Sequence, residues 1–446
     1  MRILELIWIN LVGTYGVASA QYYWGRMAGL ILRLLYNIAP ADIHNPIYWR
    51  WLIVYVDDVL AFLHLSQVWE QATIILVVLE VIGAPVNYKK VHIGLFNVFV
   101  GFHIDCKLHH YALTQVKMDM LLDISKNIES SATVAIEVVR AYTHKSAWAV
   151  QVTEPLRPFL QPLFQFIHAT KEFDEKHRVI VPDICRFVNR FLAKHWGCRS
   201  PSSAEFRRKL GIDSATDAGA SDDLGHTIGG WCGPPGGNRW AMEWFSIRLQ
   251  DHAHVPWVKE LIAQLYPGIQ RSAASGALEL AGDLIMLKHL QKRVQGAGFI
   301  CTASVSLTAG KTDNIGNVYV LAKHYTNRWP GAAILMELAA IMIETEAHMS
   351  ISHVPRERNI WADDLANLET SGFDPAKRWH PIAELGETIV LNDLLIYGRQ
   401  LGFHLSKKER EEFKRGRAIL APASLLQPFH GRPIESSSQS SKKRRT

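Results

Sequence analysis

The stretch "GIDSATDAGASDDLGHTIGGWCGPPGGNRWAMEWFSIRL" (Gly211–Leu249) decides the fold of the larger part of this chain. It reads as three strands separated by Gly-rich turns. Onward to about Phe373, helical patterns alternate with a further strand. "ASGALELAGDLIMLKHL" shows a helix face of Leu278, Leu280, Leu284, Ile285 and Leu287, and "LTAGKTDNIGNVYVL" a strand running into Asp313. Strands first, then helices around a late strand, predict an α/β or α+β layer domain.

Acidic residues fall at marked places in this pattern. Asp217 is expected at the end of a short strand before a Gly turn, Glu279 in the first turns of the helix, and Asp313 just after the later strand. In "SHVPRERNIWADDLANLETSG" (Ser352–Gly372), Asn359 suits an N-cap and Gly372 a helix stop. Asp363 then sits in the first helical turn, where the positive end of the dipole favours a carboxylate. Singly, each acid suits a cap, a turn or a solvated face as well as a ligand.

Together, this order of Asp on a first strand, Glu on the first helix, Asp-Asn after a later strand, and His-Val-Pro…Asn-x-x-Ala-Asp at the last helix resembles ribonuclease H. The resemblance covers roughly Arg208 to Leu368. It implies a mixed sheet flanked by helices, with Asp217, Glu279, Asp313 and Asp363 holding two Mg²⁺ (or Mn²⁺) ions that act on the RNA strand of an RNA:DNA hybrid. His353 matches a histidine that aids proton transfer or product release; a solvent-exposed loop residue is the competing reading. Arg356 and Asn359 fall in the nucleic-acid-contacting segment. Successive helical residues point about 100° apart, so Asp364 is expected to face away from the metals. Asp222 and Asp223 read as solvated turn residues and Glu243 as an exposed strand position.

A second acidic pair lies upstream. "WLIVYVDDVLAFLHL" (Trp51–Leu65) places Asp57 and Asp58 between apolar, β-branched runs, where an ordinary two-residue hairpin would use Asn-Gly or Asp-Gly. A solvated turn is one reading. The flanks predict a hairpin apolar on both faces, and carboxylates fixed on it suit Mg²⁺. Here the sequence resembles a reverse transcriptase palm, whose Tyr-x-Asp-Asp hairpin is matched by Tyr55, Asp57 and Asp58. "YGVASAQYYWGR" (Tyr15–Arg26), with Gly16, Ser19 and Arg26, resembles the preceding template- and nucleotide-contacting segment. "VIGAPVNYKK", with Lys89 and Lys90, and "FVGFHI" (Phe99–Ile104) resemble the segments that follow. Upstream of Gly16 only Glu5 is acidic, so the expected palm carboxylate from an earlier strand is absent. The reading is therefore a partial palm, which favours template-primer binding over polymerisation.

The expected organisation is α/β and α+β multidomain: a partial palm over 1–114, a helical thumb or connection over 115–200, a ribonuclease H-like domain over 205–373, and a C-terminal extension over 374–446 ending in a disordered basic tail. "NVFVGFHID" reads as one strand, "TIILVVLEVIGAPV" as a core helix, "TVAIEVVRAYTHKSAWAVQV" as a helix and "TEPLRP" as a loop. This order is similar to that of retroelement polyproteins, and the Trp-Ala-Asp-Asp-Leu ending resembles the DIRS type. A catalytically inactive nucleic-acid-binding relic is the alternative.

Composition agrees with a globular chain: 48% hydrophobic and 20% charged residues leave ample apolar surface to bury. A net charge of +6 mildly favours an anionic partner. The five cysteines are scattered, with no C-x-x-C pair and no histidines at zinc spacing, which suits a reducing compartment. "MRILELIWINLVGTYGVASAQ" has the outline of a signal peptide, but Glu5 and Asn10 interrupt its apolar run. The expectation is an intracellular protein, nuclear or cytoplasmic, with no membrane partner.

Overall fold

The computed structural model describes residues 2–3, 6–7, 18–38, 50–55, 58–84, 86–107, 110–198, 200–201, 208–209, 212–221, 223–265, 271–296, 305–345 and 347–403. The leader-like outline falls largely, and the basic tail entirely, outside these residues. Among them, no helix is long and apolar enough to cross a membrane. The chain forms two compact units, Met1–Ile104 and Asp105–Thr446.

The first unit contains helix α1 (Ala18–Ile38), strands β1 (Arg50–Tyr55) and β2 (Asp58–Leu63), helix α2 (Val68–Val81), and strands β3 (Phe96–Phe99) and β4 (Phe102–Asp105). β1 and β2 pair antiparallel as a two-stranded sheet, with Tyr55 opposite Asp58. Asp58 is therefore the first strand residue rather than a turn residue; Asp57 lies outside the described residues. Alternate side chains of a strand face opposite ways. Leu52 packs with Leu35, Ile75 and Val78 of the two helices, whereas Ile53, Tyr55 and Val59 are exposed. Leu60, opposite Ile53 on the other face, is buried as well, so each face of the hairpin is packed only in part. Likewise α2 is not a core helix throughout: it buries Ile75 and Val78 but exposes Trp69, Val77 and Val81. "NVFVGFHID", expected as one strand, is two, because Val100 (φ 50°) and Gly101 (φ 80°) turn the chain.

In the second unit, after a short strand His110–Leu113, come the helices α3 (Gln115–Ser130), α4 (Ile136–Ala149), α5 (Gln161–Ala169) and α6 (Asp183–His195). "TEPLRP", expected as a loop, enters a 3₁₀ helix over Glu154–Leu160, where Leu156 and Phe159, three apart and so on one side, are buried. The three strands expected from the opening stretch are β5 (Asp213–Ser221), β6 (Gly225–Gly233) and β7 (Glu243–Arg248), an antiparallel meander.

β8 (Val305–Thr312) joins β5 in parallel, with Ser214 opposite Gly310 and Ala215 opposite Lys311. β9 (Ala347–His353) and the short Arg208–Lys209 segment also pair parallel with β8. This makes one mixed sheet. Between these strands run α7 (Pro256–Leu265), α8 (Arg271–Gly296), α9 (Ile315–Lys323) and α10 (Gly331–Glu344); α11 (Ile360–Ala366), α12 (Ile382–Leu385) and α13 (Leu391–Gln400) follow.

Helix α8 covers one face of the sheet, where Asp283 accepts a bond from the Thr216 hydroxyl (2.9 Å). Helix α11 covers the other, against Gly219 and Gly229. Every residue of α10 from Gly331 to Met342 is buried, so this helix is the centre of the unit. Its Glu337 carboxylate accepts the N–H groups of Ile389, Val390 and Leu391 (2.8–3.1 Å). A buried carboxylate thereby satisfies the orphan donors at the start of α13. The helical segment is held to the same core by Lys194–Glu344 (2.9 Å) and by Arg157, which donates to the Lys323 carbonyl (3.1 Å). The described residues of the expected 115–200, 205–373 and 374–446 segments therefore belong to one compact unit.

A carboxylate cluster at the end of the central strands

β8 stops at Thr312 while β5 continues to Ser221. With Ala215 level with Lys311, Asp217 comes level with Asp313, just where the parallel pairing ends. Glu279, in the third turn of α8, completes the set: one carboxylate oxygen from each of Asp217, Glu279 and Asp313 lies within 4.8 Å of the others. Asp217 sits in mid-strand rather than before a Gly turn. The expected turn residue, Gly219, stays in the strand, and a Cβ there would meet Thr227 Oγ1 at 2.6 Å and the Ala366 carbonyl oxygen at 3.3 Å.

The acids are held by donors. Glu279 accepts bonds from Ser275 (3.0 Å), Thr312 (3.1 Å), Asn314 (3.1 Å) and Asn317 (3.3 Å). Asp217 accepts from its neighbour's N–H at Ala218 (2.7 Å) and from Asn359 Nδ2 (3.3 Å). Burial pushes the Asp217 carboxyl up to about 7; Asp313, Glu279 and Asp363 add to the rise, and the Ala218 N–H opposes it. Burial also raises Glu279, with the Asn314 and Ser275 bonds opposing and Asp313 reinforcing. Like charges gathered in a half-dry site raise one another in this way.

Asp363 acts on this group from α11. It pairs with Arg356 (3.1 Å) and accepts a bond from Asn367 Nδ2 (3.3 Å). The Arg356 guanidinium is held in its charged form first by Asp363 and then by Asp313, with Asp217 contributing. Asp364 points elsewhere, to Arg239. Asn359 occupies the N-cap position but its side chain makes no cap bond; it is buried and turned to Asp217 instead. The stop assigned to Gly372 is also displaced: α11 ends at Ala366, Leu368 takes a φ of 64°, and Gly372 (φ 81°) serves a later turn.

His353 is the last residue of β9, exposed and opposite Thr312. Asp223 is exposed, as expected of a solvated turn, and Asp222 lies outside the described residues. Glu243, expected to be simply exposed, is half-buried and paired with His289 (3.2 Å) and Arg293 (3.2 Å). In the first unit, Arg26 is exposed on α1, 3.5 Å from the Tyr22 hydroxyl, Ser19 belongs to the same helix, and Lys89 and Lys90 are exposed in a 3₁₀ turn. Tyr55 and Asp58 are exposed at the strand ends, and Gly16 lies outside the described residues. Among the described residues, Asp58 joins no group of three metal-ligating side chains.

Sequence reasoning missed Asn317, Asp283 and Gly229. The spacing of three between Asn314 and Asn317 at a helix start was the available signal for the first. A Cβ on Gly229, the residue opposite Asp217 on β6, would lie 2.3 Å from the Ala366 nitrogen and from the Leu365 carbonyl carbon. That glycine lets α11 approach the sheet closely, with Asp363 acting electrostatically on the cluster without joining its converged oxygens.

Several solved structures are similar to this chain. Ribonuclease H1 from the halophilic archaeon Halobacterium salinarum is 16% identical over 36% of this chain and 96% of its own, with a TM-score of 0.23. LC11-RNase H1 in complex with an RNA/DNA hybrid is 18% identical over 35% of this chain and 94% of its own, with a TM-score of 0.24. A foamy viral protease-reverse transcriptase in complex with an RNA/DNA hybrid is 10% identical over 80% of this chain and 62% of its own, with a TM-score of 0.23. No protein-family model and no curated protein matches the chain.

Proposed function

We propose that this chain is a metal-dependent nuclease that cleaves the RNA strand of RNA:DNA hybrids, within a reverse transcriptase/ribonuclease H fragment of a retroelement of the DIRS type. The observation that carries the reading is the approach of Asp217, Glu279 and Asp313 to within 4.8 Å of one another, with Asp363 acting on them electrostatically. The donors are all oxygens, the ligand type of Mg²⁺ or Mn²⁺. Asp217 raised to about 7 is a carboxylate short of a compensating cation. Bound divalent ions supply Lewis-acid activation of water and stabilisation of a leaving 3′ oxygen.

The chain's own residues do the rest. Asn359, Asn314 and Asn317 hold the carboxylates in place before substrate arrives, which removes a cost of reorganisation. Arg356, exposed beside Asp363, binds a backbone phosphate of the hybrid. His353, exposed at the end of β9, aids proton transfer or product release. In the first unit, Gly16, Ser19, Arg26, Tyr55, Asp57, Asp58, Lys89 and Lys90 form a palm remnant that contacts template and primer. The location proposed is intracellular, with the basic terminus "SKKRRT" as a nuclear-import or nucleic-acid patch.

The test is Mg²⁺-dependent cleavage of labelled RNA in an RNA:DNA duplex, with single-stranded RNA and duplex DNA as controls. Asp217→Asn and Asp313→Asn are expected to lower cleavage by orders of magnitude while hybrid binding, dominated by phosphate contacts, persists. A well-folded wild-type protein that cleaves no hybrid moves the reading to a non-catalytic relic. Cleavage that survives Asp217→Asn means the acids are wrongly assigned.

A further inference from the structure

At the other end of α8 lies a second convergence of metal-ligating side chains, independent of the carboxylate cluster. Cys232 on β6 and Glu243 on β7 are directly opposite in the antiparallel register, so their side chains share one face of the sheet. Helix α8 covers that face, and His289 points down onto the pair. One atom from each of Cys232, Glu243 and His289 lies within 4.8 Å of the others. Glu279 is ten residues earlier on the same helix, on the order of 15 Å away along its axis.

The imidazole is fixed in detail. Nε2 lies 3.2 Å from Glu243 Oε2, and Nδ1 lies 3.9 Å from Glu384 Oε1. Lys292 holds that same Glu384 oxygen at 3.0 Å. Trp379 stacks flat on the ring, with centroids 3.8 Å apart and planes 7° from parallel. Arg293, one turn beyond His289, takes the other Glu243 oxygen, Oε1, at 3.2 Å and lies 3.9 Å from the Cys232 sulfur. The ring therefore turns one nitrogen to a thiol and a carboxylate, and the other to an outer carboxylate. That is how metal-bound histidines are oriented by their surroundings.

We propose that Cys232 Sγ, His289 Nε2 and Glu243 Oε2 form a zinc site, with Glu384 as the outer carboxylate that orients His289. One sulfur, one imidazole nitrogen and one carboxylate oxygen suit Zn²⁺, which takes three such protein ligands and leaves a fourth position to water. The thiol proton leaves for solvent as the sulfur binds, and His289, whose pKa is pushed up to about 9, gives up its Nε2 proton as that nitrogen binds, so affinity falls as the solution is acidified. The ion would tie β6, β7 and α8 together. Cysteine and histidine are far apart in sequence, so no spacing motif announces the site.

The full-length chain, stripped with a chelator and carrying Asp217→Asn to disable the other cluster, is titrated with Co²⁺ and, separately, with Zn²⁺. The expected result is one Co²⁺ bound with a thiolate-to-cobalt charge-transfer band and the visible absorption of tetrahedral cobalt, both displaced by Zn²⁺. Zn²⁺ should also raise the unfolding temperature. Cys232→Ser should remove the charge-transfer band, and Glu384→Gln should weaken Zn²⁺ binding about 10–100-fold. Far-UV circular dichroism of each variant separates lost binding from lost folding. If Cys232→Ser does not fold, His289→Gln replaces it, and retention of the band in that folded variant overturns the proposal. Absence of a thiolate band in the parent, or a band unchanged by Cys232→Ser, overturns it as well. All-oxygen ligands at the carboxylate cluster cannot produce a thiolate band, so this outcome is distinguishable from failure of the nuclease reading.

Discussion

Gly229→Ala is the sharpest perturbation of the carboxylate cluster, because it touches none of the acids. The new Cβ would lie 2.3 Å from the Ala366 nitrogen and the Leu365 carbonyl carbon and 2.5 Å from Leu365 Cβ. Ordinary contact starts at 3.4 Å, so α11 has to retreat by about 1 Å, and the obstacle is backbone that no rotamer change can clear. Overpacking of this kind costs roughly 1–3 kcal/mol, which in a body of this size lowers the unfolding temperature by roughly 2–4 °C per kcal/mol. The retreat carries Asp363 and Asn359 away from Asp217, and a displacement of about 1 Å at a reacting centre lowers rate on the order of 100-fold. The assay pairs thermal unfolding with hybrid cleavage under saturating Mg²⁺. Gly276→Ala is the control: its Cβ would meet nothing closer than 3.5 Å, and in mid-helix the change should stabilise by up to about 1 kcal/mol. An unfolding temperature for Gly229→Ala equal to wild type would refute the account of how α11 docks.

Asp283 is buried and its carboxyl is pushed up to about 7 by that burial, with Glu279 adding and the Thr216 bond opposing. A raised acid stabilises the fold below its unfolded value of 3.8, and this contribution is lost as pH rises through about 7. Asp283→Asn should therefore gain on wild type across that window by up to about 4 kcal/mol, read from urea midpoints against pH; parallel curves would contradict it. Asp217 has the same sign, so in chelator the wild type should lose stability between about pH 4 and 7. Mg²⁺ should restore more stability at pH 8 than at pH 6, where the ion competes with a proton; equal shifts at the two pH values in a calorimeter would count against a cation at this carboxylate. Asp363→Asn should cut cleavage at least tenfold while Asp364→Asn, whose partner is Arg239, leaves it within a few-fold, and the reverse ranking in a steady-state assay would reassign the α11 acid. Deleting Lys442–Arg445 from a fluorescent fusion should reduce nuclear signal; unchanged distribution and unchanged hybrid affinity would leave the tail without the proposed role.

Residues whose chemistry is set by local pattern were legible from the chain. Strands β5 to β7 are bounded by Gly-rich turns, Asp313 follows a strand directly, and Asp363 differs from Asp364 by a helical rotation that sends one to Arg356 and the other to Arg239. What was not legible depends on distance in space rather than in sequence. Asn359 looks like a cap because Asn suits caps, yet its amide is recruited by Asp217, 142 positions earlier. Gly219 looks like a turn because glycine suits turns, yet it is needed for the close approach of α11. The hairpin around Asp58 is apolar on both faces, but a two-stranded sheet against two helices leaves each face covered only in part: Leu60 is buried while Ile53, paired opposite it, is exposed. Cross-strand register is the hardest of these to infer, since a slip of one residue would send every side chain to the opposite face. The pairing of Cys232 with Glu243 depends on it, and so does the pairing of Asp217 with Gly229. Both pairs lie in one β6 register, three positions apart along the strand and so on opposite faces. One faces α8 with ligands of mixed chemistry; the other faces α11 with the room that an acid needs.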